Sequence, residues 1–427
     1  MSENPSPAAA NPSPAAAKKR LALRIVCIVL AAIFLVVAVL AISFASVWHN
    51  EISTVSSFKH LRARNDENKE GSVYRMDVKG GFYFDKFLKQ GGASNDKELI
   101  NFITNNITRG LIDMTIKETD IGCSSFTATA QNGDKLFARN YDFDKTNVCI
   151  TLCNPGGGRH KSFSTVDLNY VGMDIEKDVS GLMNKITCLA APYAPLDGIN
   201  DAGVSCGIYM TYQGSGDGAV ATDQRDPDKK NITSTTMLRM VLDYADDVDE
   251  AVELIKQYNL HDSANTSFHY MVADASGKSA VLEWVPENGK DATDNDGTAR
   301  KLVVHYNTDD DYLGEREANA EFQWVTNFIL NPDYYDSEED MTGLDRYNHI
   351  YNRLNATNGT VQDEWAAMDI LKDVGRRTWN GGGGVTVHSA VYNLTQKTVL
   401  WVANENYSDN TAVYTYSLET GKLTCAA

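Results

Sequence analysis

Basic residues are scarce in this sequence. Its 427 residues hold 39 Lys and Arg against 57 Asp and Glu, a formal charge of −18, and such a surface repels the phosphate backbones that nucleic-acid binders attract with clustered cations. A nucleic-acid partner is therefore not expected. Cysteine is sparse as well: Cys27, Cys123, Cys149, Cys153, Cys188, Cys206 and Cys425 form no Cys-x-x-Cys pair. They are too few for a disulfide scaffold, and an odd number leaves at least one thiol free. Long apolar runs are almost absent, which excludes a multi-span membrane protein, while 43% hydrophobic and 22% charged residues are ordinary for a chain that buries a core.

The one exception lies near the start. Residues 1–24 contain the heptad Asn-Pro-Ser-Pro-Ala-Ala-Ala twice and then Lys18, Lys19, Arg20 and Arg24, a composition that reads as a disordered, basic cytoplasmic tail. Ile25–Val47 follows without a formal charge, long enough as a helix to cross ~30 Å of hydrocarbon. The flanking cations keep the N-terminal side inside. A single-pass membrane anchor over 25–47 is expected, with a cleaved secretory signal as the competing reading because Ser43 and Ala45 offer a small-x-small site. Either one exports the rest. The expected localisation is the cell membrane with the body extracytoplasmic, or secretion.

Downstream, Ser94-Asn95-Asp96 caps a helical pattern carrying Leu99, Ile103, Ile107 and Leu111 on one side. At Cys123 the period changes to two, and a strand, the turn Asn132-Gly133 and a second strand ending at Asp142 make a hairpin. With Asn132-Gly133 as a two-residue loop, the ladder sets Cys123 opposite Asp142. A carboxylate beside a thiol hinders thiolate formation, so a cation is needed nearby, and Arg139 is the candidate. Further strands are expected at 203–212, 267–275, 279–284, 302–306, 385–392 and 398–403. Helices are expected at 234–245, 248–258, 345–354 and 362–373, giving a layered α+β domain and not a βαβ alternation.

Cys-Ser-Ser-Phe at 123–126 and Leu-Phe-Ala-Arg-Asn-Tyr-Asp-Phe at 136–143 resemble the opening hairpin of the choloylglycine hydrolase family, which contains bile salt hydrolases and penicillin V acylases. Blocks at Asn200–Tyr209, Phe268–Glu283, Trp324–Asn327, Asp345–Tyr347 and Ser389–Thr398 follow in the family's order. The resemblance implies a four-layer αββα N-terminal nucleophile hydrolase over 123–427, preceded by a pro-region at 48–122. It implies a linear amide C–N hydrolase needing neither cofactor nor metal, in which Cys123 is freed by cleavage of the 122–123 bond. Its sulfur attacks the amide and its α-amine relays the proton. Asp142 would hold that amine, Arg139 and Arg346 would set the charge around the thiol, and Asn327 with the Tyr209 backbone N–H would bind the oxyanion. Two points are open on the residues themselves. Arg139 and Asp142, three apart, point to opposite faces unless the hairpin bulges, and the Tyr209 position is uncertain by one.

The expected partners are a small N-acyl amide, the membrane through 25–47 and, as an open option, a second copy of the chain. The loops 156–163, 213–230, 286–300 and 306–320 carry no substrate signature, so bile-acid, phenoxyacetyl and fatty-acyl amides all stay open. Rival readings are weaker. Gly203-Val-Ser205-Cys-Gly207 fits G-x-S-x-G, and a Ser205, Asp373, His388 order of an α/β-hydrolase esterase can be written, but a strand follows where a nucleophile elbow needs a helix. A non-catalytic, membrane-tethered binding protein on the same fold is the second alternative. Asp294-Asn-Asp-Gly297 lacks calcium ligands at its ends, Cys149 and Cys153 lack a nearby His for zinc, and His269 reads as a satisfied core histidine.

Overall fold

The computed structural model describes residues 14–108, 110, 122–213, 220–287, 296–309, 321–332, 334–377, 379 and 384–427. Most of the two heptads, Leu111 of the helical pattern, half of the Asp294–Gly297 segment and parts of three of the four loops expected to meet substrate lie outside these. Two compact units are present, one ending at Ile52 and the other spanning Ser53–Ala427. In the first, Pro14–Val47 is one helix with its leucines, isoleucines and valines exposed. A helix this long and apolar meets the length requirement of a membrane span or of a signal sequence.

The second unit is built on two large sheets. One runs, in spatial order, through Lys59–Arg62, Val73–Lys79, Val148–Asn154, Ser162–Asp167, Asp197–Asn200, Ser205–Met210, Phe268–Ala273, Ser279–Pro286 and Arg300–Tyr306. The other runs through Trp324–Val325, Gly122–Ala130, Lys135–Phe143, Val385–Asn393, Thr398–Ala403, Val413–Ser417 and Lys422–Cys425, with Thr360–Val361 joined to Gly122–Ala130. The helices Ser234–Tyr244 and Val248–Lys256 pack on the first sheet, and Leu344–Asn355 and Glu364–Asp373 on the second. The layering is helix, sheet, sheet, helix, the αββα order expected, and the helices start where side chains cap them: Asp247 accepts from Glu250 N–H and Asp363 from Ala366 N–H.

The hairpin differs from the expectation by one register step. Ala130 N–H donates to Asp134 C=O, and Gly133 N–H donates to Ala130 C=O, so the loop has three residues, with Gly133 in the left-handed region at φ +91°. A three-residue loop closed by such a glycine is the next commonest hairpin after the two-residue kind. The pairing therefore sets Gly122 opposite Asp142 and Cys123 opposite Tyr141.

The residues before Cys123 are not an appendage. Val73–Lys79 pairs in parallel with Val148–Asn154 along its full length, and Val73, Met76 and Val78 are buried. Its period-two pattern is short, and its partner lies about 75 positions away, so nothing local announces the pairing. Polar links tie the same segment down. Arg159 donates to Gly81 C=O and Asp85, Asn404 to Gly71 C=O, and Ser72 N–H to Asn147. Met76→Ala should thus lower the stability of the whole Ser53–Ala427 unit by about 2–5 kcal/mol, read as one displaced transition in denaturant unfolding. A separate early transition for the upstream residues would contradict a shared core.

Candidate active site

Cys123 lies second in its strand and is fully buried. Its sulfur receives Arg139 Nη2 at 3.4 Å. Arg139, equally buried, donates from Nε to Asp197 at 2.8 Å and from Nη2 to Ile208 C=O at 2.7 Å, and its guanidinium stacks 4.5 Å from the centre of the Tyr209 ring. Tyr209 in turn donates to Ser125 Oγ at 2.6 Å. Gly207 makes this stacking possible: a Cβ there would sit 2.6 Å from both Arg139 Nη1 and the Tyr209 hydroxyl.

Arg139 and Asp142 do leave their strand on opposite faces, and no bulge in the hairpin is required. Arg139 runs between the sheets to reach the thiol. Asp142 meets Arg346 of the helix Leu344–Asn355 at 3.1 Å and Thr386 Oγ1 at 2.7 Å, beside the backbone of Gly122 and Cys123. One residue's side chain and main chain are thus served from two sides. Arg346 also donates to Cys123 C=O at 3.0 Å and to Asn327 Oδ1 at 2.8 Å. Asn327 Oδ1 accepts the Cys123 N–H at 3.0 Å, and its Nδ2 donates to Met210 C=O at 2.9 Å.

The ladder fixes which way each backbone group of Ser205–Met210 faces. Thr211 N–H donates to Ser267 C=O, and hydrogen-bonded pairs recur every second residue in an antiparallel ladder. Tyr209, paired with His269, therefore commits its N–H to that neighbour. Met210 faces the other way, toward Asn327. Asn327 reaches the Met210 carbonyl on that side, and the Tyr209 ring lies against Arg139.

Two buried carboxylates hold this arrangement, and both escaped the sequence reading. Asp197 accepts from Arg139, from His388 Nε2 at 2.7 Å and from Tyr392 at 2.6 Å. Glu283 accepts from His269, His305 and the backbone N–H groups of Leu330 and Asn331, while His269 Nε2 meets Thr326 C=O at 2.9 Å. The loop bearing Asn327 is pinned at both ends. His269 is a satisfied buried histidine, as expected, whose partner is the residue before Asn327. The signal for these acids was a charged residue inside an otherwise apolar strand pattern.

The serine alternative is overturned. Ser205 is buried within a strand and donates to Gly198 C=O at 2.7 Å. His388 is bound to Asp197, and Asp373 meets His349 and Arg353 on a helix, so the three do not form a relay.

Burial pushes the Cys123 thiol up to about 11, against the pull of Arg139 and Arg346. Burial also opposes ionisation of Asp197, but His388 and Arg139 outweigh it and hold the carboxyl down at about 2. An unfolded Asp titrates near ~3.9, so Asp197 contributes stability above that pH and loses it as pH falls through about 2. Asp197→Asn should therefore be less stable than wild type at neutral pH, with the gap in denaturant midpoint narrowing from pH ~4 towards ~2. A constant gap would remove Asp197 from the acid limb. Gly207→Ala should displace the Arg139 guanidinium and lower amide hydrolysis at least ~10-fold, as misplacement near reacting atoms does, with the unfolding transition still cooperative; full activity would show that the guanidinium position is not critical.

Residues 123–292 match the family model of linear amide C–N hydrolases, choloylglycine hydrolase family. Among solved structures, the chain is similar to penicillin V acylase from Agrobacterium tumefaciens at 16% identity and TM-score 0.43, covering 70% of this chain and 90% of that one. It is also similar to conjugated bile acid hydrolase from Clostridium perfringens at 15% identity and TM-score 0.41, covering 71% and 96%. A third is the N-acylethanolamine-hydrolyzing acid amidase ortholog of Caenorhabditis elegans, at 16% identity and TM-score 0.37, covering 64% and 93%. No curated protein matches the chain. Over residues 123–292 the chain is thus similar to the linear amide C–N hydrolases of the choloylglycine hydrolase family.

Proposed function

We propose that Cys123 is the nucleophile of this hydrolase and that it works only after the 122–123 bond is cut. The observation that carries the reading is the convergence of residues up to 223 positions apart on one thiol and its backbone. Cleavage turns the Cys123 N–H into an α-amine, whose ordinary pKa of ~7.7–8.0 suits a general base. Asp142 is placed to receive it: a Cβ at Gly122 would meet Asp142 Oδ2 at 3.2 Å, so the carboxylate borders the position that Gly122 leaves.

In the first step the amine takes the thiol proton and Sγ bonds to the amide carbon. Arg139, touching the sulfur, favours the thiolate that burial disfavours. The carbonyl oxygen, now negative, takes hydrogen bonds from Asn327 Nδ2 and the Met210 N–H, where one such donor can be worth ~10²–10³ in rate. The C–N bond then breaks, the amine product leaves with the proton carried by the Cys123 α-amine, and a thioester remains. Water, deprotonated by the same amine, attacks the thioester and releases the carboxylic acid. Arg346 holds Cys123 C=O, Asp142 and Asn327 together throughout. For the first unit, the reading is a single-pass anchor over 25–47 with the catalytic body outside the cytoplasm, supported by the charge-free run and the cations before it.

Cys123→Ala should remain folded, uncut at 122–123 by intact mass, and inactive on a panel of N-acyl amides. Arg139→Ala, Asp142→Asn and Arg346→Ala should each lose at least ~10² in kcat/KM. Activity surviving in Cys123→Ala would sink the assignment.

A further inference from the structure

We infer that the segment upstream of Cys123 is a working half of the acyl site, so that the cut protein acts as two chains and selects an uncharged apolar acyl group with the upstream one. The inference rests on Cys123 being the acyl acceptor. An apolar pocket is lined by neighbours of the thiol's own partners: Tyr141, the cross-strand partner of Cys123, and Ile208 and Met210, whose carbonyls receive Arg139 and Asn327. Leu99, Ile100 and Ile103 line it too, three residues of the helix Asp96–Ile103, all before the cut.

The upstream residues also hold two further parts of the wall. Tyr193 lines the pocket and donates to Phe82 C=O at 2.8 Å. Its ring sits edge-on to Phe84 and Phe87. Ala264, on the rim, is kept in the left-handed region at φ +56°, where alanine is strained, and its N–H donates to Asp96 at 2.9 Å. Among the described residues, no Asp, Glu, Lys, Arg or His lines the pocket. Most of the lining hydroxyls are engaged within the protein: Tyr141 donates to Asp167, Thr235 to Tyr193 C=O and Ser234 to Asp262, while the buried Ser263 Oγ has no partner among the described residues. A charged or polyhydroxylated acyl group would leave its polar atoms unpaired there, whereas a plain alkyl chain gives up nothing.

Loss of the upstream chain would therefore remove one wall and loosen two others, while the catalytic groups, which all lie at or after Cys123, stay in sequence. Specificity, more than chemistry, should answer to changes in Asp96–Ile103. Ile100 is half-buried at the mouth and tolerates a larger side chain better than Leu99 or Ile103.

The test uses the full chain reconstituted in lipid nanodiscs, with acetyl, hexanoyl and dodecanoyl p-nitroanilides for turnover and octanoate for binding by calorimetry. Ile100→Trp, from upstream, and Ala194→Trp, from the downstream wall, should each cut dodecanoyl turnover at least ~10-fold, leave acetyl turnover within ~2-fold, and weaken octanoate binding to the Cys123→Ala protein at least ~10-fold, as expected for filling an apolar pocket. Ile100→Ala should leave the long acyl group favoured and guards against a tryptophan that misfolds. Cys123-dependent turnover with an unchanged chain-length profile in Ile100→Trp and Ala194→Trp would overturn the inference. Octanoate binding that responds to both variants, without Cys123-dependent turnover in wild type, would uphold the pocket and reject the nucleophile.

Discussion

A guanidinium with no access to water is the constraint around which this molecule is arranged. Arg139 is fully buried between two sheets, and an uncompensated buried charge costs several kcal/mol even after relaxation. The compensation comes from strands far apart in sequence: Asp197 gives the counter-charge, Ile208 a carbonyl, Tyr209 a ring face and Gly207 the space. Asp197 then needs more donors than Arg139 alone, and His388 and Tyr392 supply them from the facing sheet. The two sheets are registered on one another through this ion pair, and the thiol sits at its edge.

That placement explains a division of labour the sequence presented as a conflict. A strand offers opposite faces to residues three apart, so one cannot gather both a cation and a carboxylate around a side chain. Here the cation goes to the Cys123 sulfur and the carboxylate, with Arg346 and Asn327, to the Cys123 main chain. For a residue proposed to act with both its side chain and its own backbone nitrogen, two faces are what the chemistry needs.

The sequence made the repeating elements legible because their signals are local. The helices at 234–244, 248–256, 344–355 and 364–373 and the strands at 205–210, 268–273, 279–286, 300–306, 385–393 and 398–403 fall within a few residues of the period-based expectation, and the capping residue Asn95 accepts from Glu98 N–H as its position suggested. Cys123, Arg139, Asp142, Asn327 and Arg346 were also legible, through ordered motifs. What could not be read was non-local. The strand Val73–Lys79 is specified by a parallel partner beyond Cys123, and the acids Asp197 and Glu283 make sense only once the cations that face them are in place. The hairpin register turned on whether Gln131 belongs to the loop. Which way the Tyr209 and Met210 backbones face turned on ladder parity, which needs the neighbouring strand.

The same non-local pairing bears on what a cut before Cys123 would do. Cleavage removes one covalent link but none of the packing between the upstream residues and the body. Val73, Met76, Val78, Phe84, Phe87, Leu99, Phe102 and Ile103 are each at most 4% exposed. At ~1.5–3 kcal/mol for each large apolar side chain, their burial outweighs the ~4–15 kcal/mol that association costs two free chains, before the backbone pairs of Val73–Lys79 and the links from Arg159, Asn404 and Asn147 are added. A cut chain built this way keeps its fold, and the change falls on the one group that cleavage creates: an amine at the end of a strand, beside a carboxylate already held by Arg346 and Thr386. The architecture thus separates what must stay from what must change. In the proposed mechanism the sheet would retain the upstream wall of the pocket, and a broken 122–123 bond would supply the base.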